Sequence, residues 1–343
     1  MKKEYQENKI YNCLLVGFGK IAADYSRDKK MAKYIKYASH IQVLTKHPKF
    51  NILSVIDPSE EALYKAKINW GIQETYKNID DLKNPEKYDV AILAIPPLNR
   101  FNTIKKLTNL KGLIIEKPLA EDLEEAYKII QLCNQKNIVV QVNYTRRFDR
   151  EMLKIKQNME KNFGNIQAAF GVYGNGLNNN GSHLIDWAIM FLGEVSWVKS
   201  ISKKEFFNKS SNADKNISFI LGFKSGVELM AQPINFKNYR ENYLDIWGTK
   251  GRISFIQEGL YCSISNLQEH RFAENEFEIK NDKQSIKIMD QSFSLYNLYE
   301  DLLQSLSSSK KTSSDITNAL TVLKIVKSIE NSFLKHNIKV DIK

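Results

Sequence analysis

The stretch from Tyr11 to Asp57 constrains this chain more than any other. The apolar run YNCLLV leads into Gly17-Phe18-Gly19, and a second apolar run, Ile52 to Ile56, ends on Asp57. Glycines one residue apart at the end of a strand predict a dinucleotide-binding βαβ unit. Gly17 allows the tight turn through Phe18, and Gly19 lets the backbone approach a pyrophosphate. The N–H groups that follow, at Lys20 and Ile21, open a helix and favour phosphate charge. Ala22 stands where the third glycine falls, and its single methyl still permits close helix–strand packing. Asp57 is placed to bind both ribose hydroxyls of an adenosine and to repel a 2′-phosphate, which argues for NAD over NADP. The link to that acid exceeds the usual ~20 residues. Residues 23–38 are polar, basic and tyrosine-rich. They read as an insertion before the main helix resumes near Ser39, either a flap over the cofactor or a surface elaboration.

The next buried-strand signal spans 88–96. Pro96 and Pro97 stop it at the carboxyl edge where open α/β sheets bind ligands, which puts Ile95 and Pro96 beside the cofactor. An apolar segment over 111–120, a helix over 123–134 and a strand over 137–142 complete a β/α alternation. This predicts an α/β domain over residues 1–145, built as a doubly wound parallel (Rossmann) sheet. Beyond it the pattern changes to a helix over 150–162, a strand over 165–173 and a helix over 182–192. Closely spaced strands follow over 195–203, 215–223, 226–234, 241–248, 251–257, 259–266 and 271–280, then two helices, the second over 316–336. Residues 146–343 therefore read as an α+β domain on a mostly antiparallel open sheet.

Composition narrows the function. A length of 343 residues with 43% hydrophobic residues fits two domains with sizeable cores. No run of about 18 apolar residues marks a membrane span. The charged start MKKEYQENKI lacks the apolar core of a signal peptide, so a cytoplasmic location is expected. Cys13, Cys133 and Cys262 lack metal-ligand spacing and read as buried free thiols, with no metal site. The net charge of +11 is carried mostly by Lys interleaved with acids. It reads as a solvated surface with a general attraction to anionic ligands, not a nucleic-acid face.

Four segments in order, VGFGKIA, IIEKPLA, NNGSHLID and IWGTKGRISF, resemble the Gfo/Idh/MocA oxidoreductases, the group of glucose–fructose oxidoreductase and inositol dehydrogenases. The resemblance covers nearly the whole chain. It implies that Lys117 of Glu116-Lys117-Pro118 lies beside the nicotinamide and the substrate hydroxyl, where a fixed ammonium stabilises an alkoxide-like oxygen. Glu116 and Pro118 would set the backbone that aims it. It implies further that His183 is the general acid/base, an imidazole suited to proton exchange near neutrality. Many members carry an aspartate where this chain has Asn179. Asn donates and accepts hydrogen bonds but takes no proton, so the proton role would fall to His183 alone. Asn179 and Asn180 suit a polyhydroxylated ligand, or a plain turn. Asp186 would fix the histidine or the helix start. Tyr144, Arg146 and Arg147 fall where members line the substrate side, and Arg146 or Arg147 suits a phosphate or carboxylate, or a surface ion pair.

The expectation is an NAD-dependent sugar dehydrogenase or ketoreductase with its substrate between two domains, acting on a nucleotide sugar or sugar acid of surface-glycan synthesis. A homodimer or homotetramer through the second sheet is implied as well. Two other classes stay open: an NAD-assisted glycosidase-type enzyme, and a non-catalytic NAD- or sugar-binding regulator.

Overall fold

The computed structural model describes residues 9–204, 214–280, 286–308 and 310–342. Most of the charged start MKKEYQENKI, expected to lack a signal peptide's apolar core, lies outside them.

The first sheet begins with β1 (Tyr11–Val16), whose Cys13, Leu14 and Leu15 are fully buried, as an inner parallel strand covered on both faces requires. The chain continues through α1 (His40–Leu44), β2 (Phe50–Ile56), α2 (Glu60–Trp70), β3 (Glu74–Tyr76), β4 (Val90–Leu93), α3 (Arg100–Lys106), β5 (Gly112–Ile115), α4 (Leu123–Gln135) and β6 (Val139–Val142). The strands pair in parallel in the order β3-β2-β1-β4-β5-β6. That order reverses between β1 and β4, the topological switch point at whose carboxyl end such sheets bind ligands. Local chemistry sets the helix ends. The Ser59 hydroxyl accepts from Ala62 N–H at the start of α2, and Gly71, at φ +70°, closes it. The Asp122 carboxylate caps α4.

The link from β1 to α1 has an unusual form. Ala23 N–H bonds to Gly19 C=O at 2.8 Å, beginning a helix. The chain then leaves the axis through two 3₁₀ turns, Asp24–Arg27 and Met31–Lys33. It returns when His40 N–H bonds to Ile21 C=O (3.0 Å) and Ile41 N–H to Ala22 C=O (2.9 Å). One hydrogen-bond ladder therefore crosses the break, with the intervening residues looped out of it. A Ser39–Gln42 capping box secures the re-entry.

The second half runs α5 (Arg150–Gln157), α6 (Met159–Phe163), β7 (Ile166–Tyr173), α7 (Ser182–Leu192), β8 (Val195–Lys204), β9 (Asn216–Phe223), β10 (Glu228–Pro233), β11 (Tyr243–Gly248), β12 (Gly251–Ile256), β13 (Tyr261–Glu269), α8 (Ser294–Ser307) and α9 (Ile316–Leu334). Two expectations need correction. The helix expected over 150–162 breaks at Asn158, whose φ of −111° and ψ of 14° leave the helical region. The strand expected over 271–280 is confined to Phe277–Ile279. The main strand order is β13-β12-β11-β7-β10-β9-β8. Its pairings are antiparallel except β7 with β10. Helix α7 covers one face. A side chain at Gly171 would meet Leu184 of α7 at 2.7 Å, and the Trp187 ring lies 5.0 Å from Phe255.

The chain forms two compact units, Met1–Phe148 with Gln291–Leu320, and Asp149–Asp290 with Thr321–Lys343. Helix α8 thus belongs to the first unit. Its Leu295, Leu298, Tyr299 and Leu302 share one core with Cys13, Leu15, Val90 and Ile114. Cys13, Cys133 and Cys262 are buried and free; burial pushes the Cys133 and Cys262 thiols up to about 12. Among the described residues no helix is long and apolar enough to cross a membrane.

Candidate active site

The glycine turn sits at the switch point. Gly17 has φ +88°, and a Cβ there would stand 2.5 Å from the Ala94 carbonyl oxygen at the exit of β4. Only glycine fits that place. Gly19 has no heavy atom within 4 Å of where a Cβ would be, so its space is open. Gly19 and Lys20 are exposed, whereas the Phe18 ring is buried. Phe18 contributes its backbone to the turn, since its N–H donates to Asp57 Oδ2 at 2.7 Å. The other carboxylate oxygen of Asp57 accepts from Ser59 N–H at 2.8 Å. These two bonds orient Asp57 at the end of β2, and a carboxylate keeps further lone pairs for ribose hydroxyls. An open glycine, exposed residues where the helix begins and an oriented acid fit a dinucleotide.

The loop after β5 holds Glu116, Lys117 and Pro118, and the Lys117–Pro118 peptide is cis. Glu116 N–H bonds to Leu93 C=O at 3.1 Å, which ties the loop to the exit of β4. Glu116 Oε1 receives His40 Nε2 at 2.9 Å and Asn143 Nδ2 at 2.5 Å. Burial opposes charge on Glu116. The interaction with His40, the Asn143 hydrogen bond and the Lys117 charge outweigh it and hold the carboxyl below the usual range. On the other side, the buried Arg100 guanidinium donates to Ile95 C=O (2.7 Å), Leu119 C=O (3.3 Å) and Pro118 C=O. It staples the loops after β4 and β5 together. Burial pushes Arg100 down to about 10 against the charge of Glu116, so it stays cationic at neutral pH. Lys117, half-buried, is therefore anchored on both flanks.

His183 is the second residue of α7 and is half-buried. The preceding Leu177–Gly181 is a π-helical turn, a form frequent at functional sites. Distant residues fix this turn. Tyr173 Oη bonds to both Ile217 C=O (2.6 Å) and Ile217 N–H (2.9 Å). Gly176 N–H donates to Asn216 Oδ1 at 3.0 Å. Asp214 accepts Asn178 N–H at 2.9 Å and Asn179 N–H at 3.0 Å, capping the turn. Burial raises the Asp214 carboxyl above its ordinary range, opposed by those bonds. The Asn178 side chain is shared between Asp214 and Glu330, so it builds the loop. Asn179 is half-buried and donates weakly to Asn175 C=O at 3.4 Å. Asn180 is 8% exposed, and its Nδ2 meets no acceptor among the described residues. Asp186 is buried in α7.

Tyr144 does not line an open surface: at 2% exposure its ring belongs to the interior. Its neighbours Thr145 and Arg146 instead border a cavity of about 160 Å³ under the looped-out segment, together with Tyr25, Met31, Ile35 and Tyr37. The segment thus roofs a space beside Arg146. In the first unit His40, Arg100 and Tyr299 support the lysine loop, and in the second Asp214 caps the turn before His183; none of the four was marked as such by the sequence. Most of these contacts join residues far apart in the chain. The Ser39-His40 start of a resumed helix was the one local sign.

A parallel sheet of this order with a glycine turn and a strand-end acid defines a dinucleotide-binding domain. The family comparison agrees. The model described as "Oxidoreductase family, NAD-binding Rossmann fold" matches residues 11–144, and the GFO/IDH/MocA C-terminal domain matches residues 142–254. The chain belongs to the Gfo/Idh/MocA oxidoreductase family. It is 25% identical over 236 residues to an uncharacterized oxidoreductase of Schizosaccharomyces pombe, a match spanning 60% of this chain and 64% of that relative. It is also 25% identical to the myo-inositol 2-dehydrogenase of Thermotoga maritima over 111 residues, 32% of this chain and 33% of that one. The WlbA dehydrogenase from Bordetella pertussis, solved in complex with NADH and UDP-GlcNAcA, shares the fold. Its TM-score is 0.73 at 17% identity, covering 98% of this chain and 99% of that one.

Proposed function

We propose that this protein is an NAD-dependent sugar dehydrogenase or ketoreductase that works on a CH–OH or keto carbon. The observation that carries the reading is the lysine loop, with Lys117 held between the Glu116 and Arg100 anchors at the carboxyl edge of the NAD-binding sheet. When bound, NAD supplies the hydride acceptor or donor. The Lys117 ammonium stabilises the negative charge that builds on the substrate oxygen. His183 takes the hydroxyl proton during oxidation and returns it during reduction, a contribution of about 10²- to 10⁴-fold. Asn179, which carries no proton, and Asn180, with its buried amide donor, bind hydroxyls.

The substrate we favour is a nucleotide sugar or sugar acid of surface-glycan synthesis. The net charge of +11 draws anionic ligands, Arg146 borders a cavity in the same unit as the NAD site, and WlbA was solved with a nucleotide sugar acid. The reading extends to a cytoplasmic enzyme, which buried free thiols fit. It also includes a homo-oligomer formed through the second sheet.

The test is a thermal-shift and 340 nm turnover screen with NAD and NADP against UDP-sugars, UDP-sugar acids and myo-inositol. Stabilisation by NAD and NADH formation with a UDP-sugar acid are expected. Sugar cleavage without net NADH would move the protein to the glycosidase-type class. NAD binding with no turnover on any sugar would make it a regulator.

A further inference from the structure

We propose that His40 is a positioning residue for the lysine loop: it fixes the Glu116 carboxylate, which in turn sets the place and charge environment of Lys117. The inference rests on the reading of Lys117 given above.

His40 is completely buried, and both ring nitrogens have polar partners: Nδ1 lies 2.9 Å from Tyr299 Oη, and Nε2 lies 2.9 Å from Glu116 Oε1. A buried imidazole needs partners for both nitrogens, and here one of them is the carboxylate adjacent to Lys117 in the chain. Tyr299 is fully buried too, and burial, together with the nearby Cys13 and Glu116, pushes its phenol well above the ordinary value. The phenol therefore keeps its proton. Glu116, ionised, can only accept, so the proton of this contact sits on His40 Nε2, and in the neutral ring Nδ1 accepts from Tyr299 Oη–H. Asn143 Nδ2 supplies the second donor to the same oxygen. Two donors converging on one carboxylate oxygen allow a narrow range of orientations.

The parts come from separate places. His40 opens α1, Asn143 follows β6 and Tyr299 lies on α8. The resumed ladder decides where the imidazole goes, because His40 N–H is the group that bonds back to Ile21 C=O. On the far flank Arg100 holds the Pro118 and Leu119 carbonyls. Lys117 sits between these anchors, and its charge interacts with Glu116. Such an interaction is mutual. Without His40 the buried carboxylate loses a donor, then turns away or takes a proton, and Lys117 loses its counter-charge.

The test needs no substrate. The full-length protein, saturated with NAD, is pulsed with acetic anhydride. Acetylation of Lys117 is read by peptide mass spectrometry against exposed Lys154. His40→Leu should speed Lys117 labelling about tenfold, the low end of what loss of one nearby counter-charge produces. Glu116→Gln should do the same, the double variant should add nothing further, and His40→Gln, which keeps a donor, should return within about twofold of wild type. Tyr299→Phe, which removes only the hydroxyl behind the ring, should shift labelling in the same direction by less, and it serves should His40→Leu fail to fold. Unchanged labelling in His40→Leu and Tyr299→Phe, or His40 and Glu116 effects that multiply, would overturn the proposal. Lys117→Met turnover is measured alongside on the sugar panel. If it matches wild type, the reading of Lys117 in the reaction fails, whatever the labelling shows.

Discussion

Gly17 and Gly19 are one residue apart and answer to different constraints. At Gly17 the constraint is internal, because a methyl would press on the Ala94 carbonyl at a φ of +88°. Gly17→Ala should therefore cost about 1–3 kcal/mol of stability, seen as a lower denaturation midpoint. At Gly19 the protein leaves space unfilled. Gly19→Ala should leave the midpoint near wild type and weaken NAD binding about tenfold or more by calorimetry, because the methyl occupies the pyrophosphate's approach. Asp57 is oriented by Phe18 N–H and Ser59 N–H. Asp57→Ser should shift cofactor preference toward NADP, measured as the ratio of kcat/KM with the two cofactors. A wild type that already prefers NADP would defeat the assignment of Asp57.

Helix α5 offers a test with pH. Asp149 caps it, with Oδ1 accepting from Glu151 N–H (2.9 Å) and Met152 N–H (3.0 Å). Asp149 is fully buried, and its Oδ2 has no partner among the described residues. Burial raises this carboxyl from the ordinary 3.8 to about 6, with the Glu151 and Met152 N–H bonds opposing. The folded state thus holds its proton to higher pH than the unfolded chain. Between about 4 and 6 unfolding releases a proton, so stability falls as pH rises through that window and levels off above it. The full effect is on the order of 3 kcal/mol, at ~1.4 kcal/mol per pKa unit. Asp149→Asn keeps an acceptor for the cap and removes the titration. Thermal unfolding from pH 4 to 7.5 should lose that slope in the variant. The looped-out segment shows a comparable economy: two hydrogen bonds, from His40 and Ile41, resume the interrupted ladder.

Across the assembled second sheet, one face is covered by α7 and the other carries apolar residues outward. Gly171 contacts α7, so its neighbour Phe170 points the opposite way. Phe170 is 46% exposed, and it pairs in register with Met230, itself 41% exposed. On the same face Asp245 is buried and held by Arg252 at 2.8 Å and Ser254 at 2.7 Å. Paired apolar residues beside a satisfied ion pair suit contact with a second copy. Phe170→Asp should lower the mass measured by light scattering toward that of one chain. A wild type already at 39.7 kDa would remove the homo-oligomer from the reading.

Features that depend on neighbouring residues were legible in the chain. Cys13 to Val16 announce a buried strand by unbroken hydrophobicity. Gly17 and Gly19 announce a turn because backbone geometry leaves few alternatives. Asp57 stands at the end of its own strand. The family motifs named Glu116, Lys117 and His183 without showing what holds them. Those supports are contacts across long stretches of chain: His40 to Glu116, Tyr299 to His40, Arg100 to Pro118, Asp214 to Asn178. Nothing in the spacing of such residues marks them as partners, because their proximity follows from strand order and helix packing. Folding likewise sent the Tyr144 ring inward and gave α8 to the first unit. An apolar stripe states that a face will be covered, and the packed chain alone determines by what. The order of residues established a dinucleotide-binding sheet with a lysine loop at its edge. The charge and aim of that loop came from buried hydrogen bonds that exist once distant segments have met.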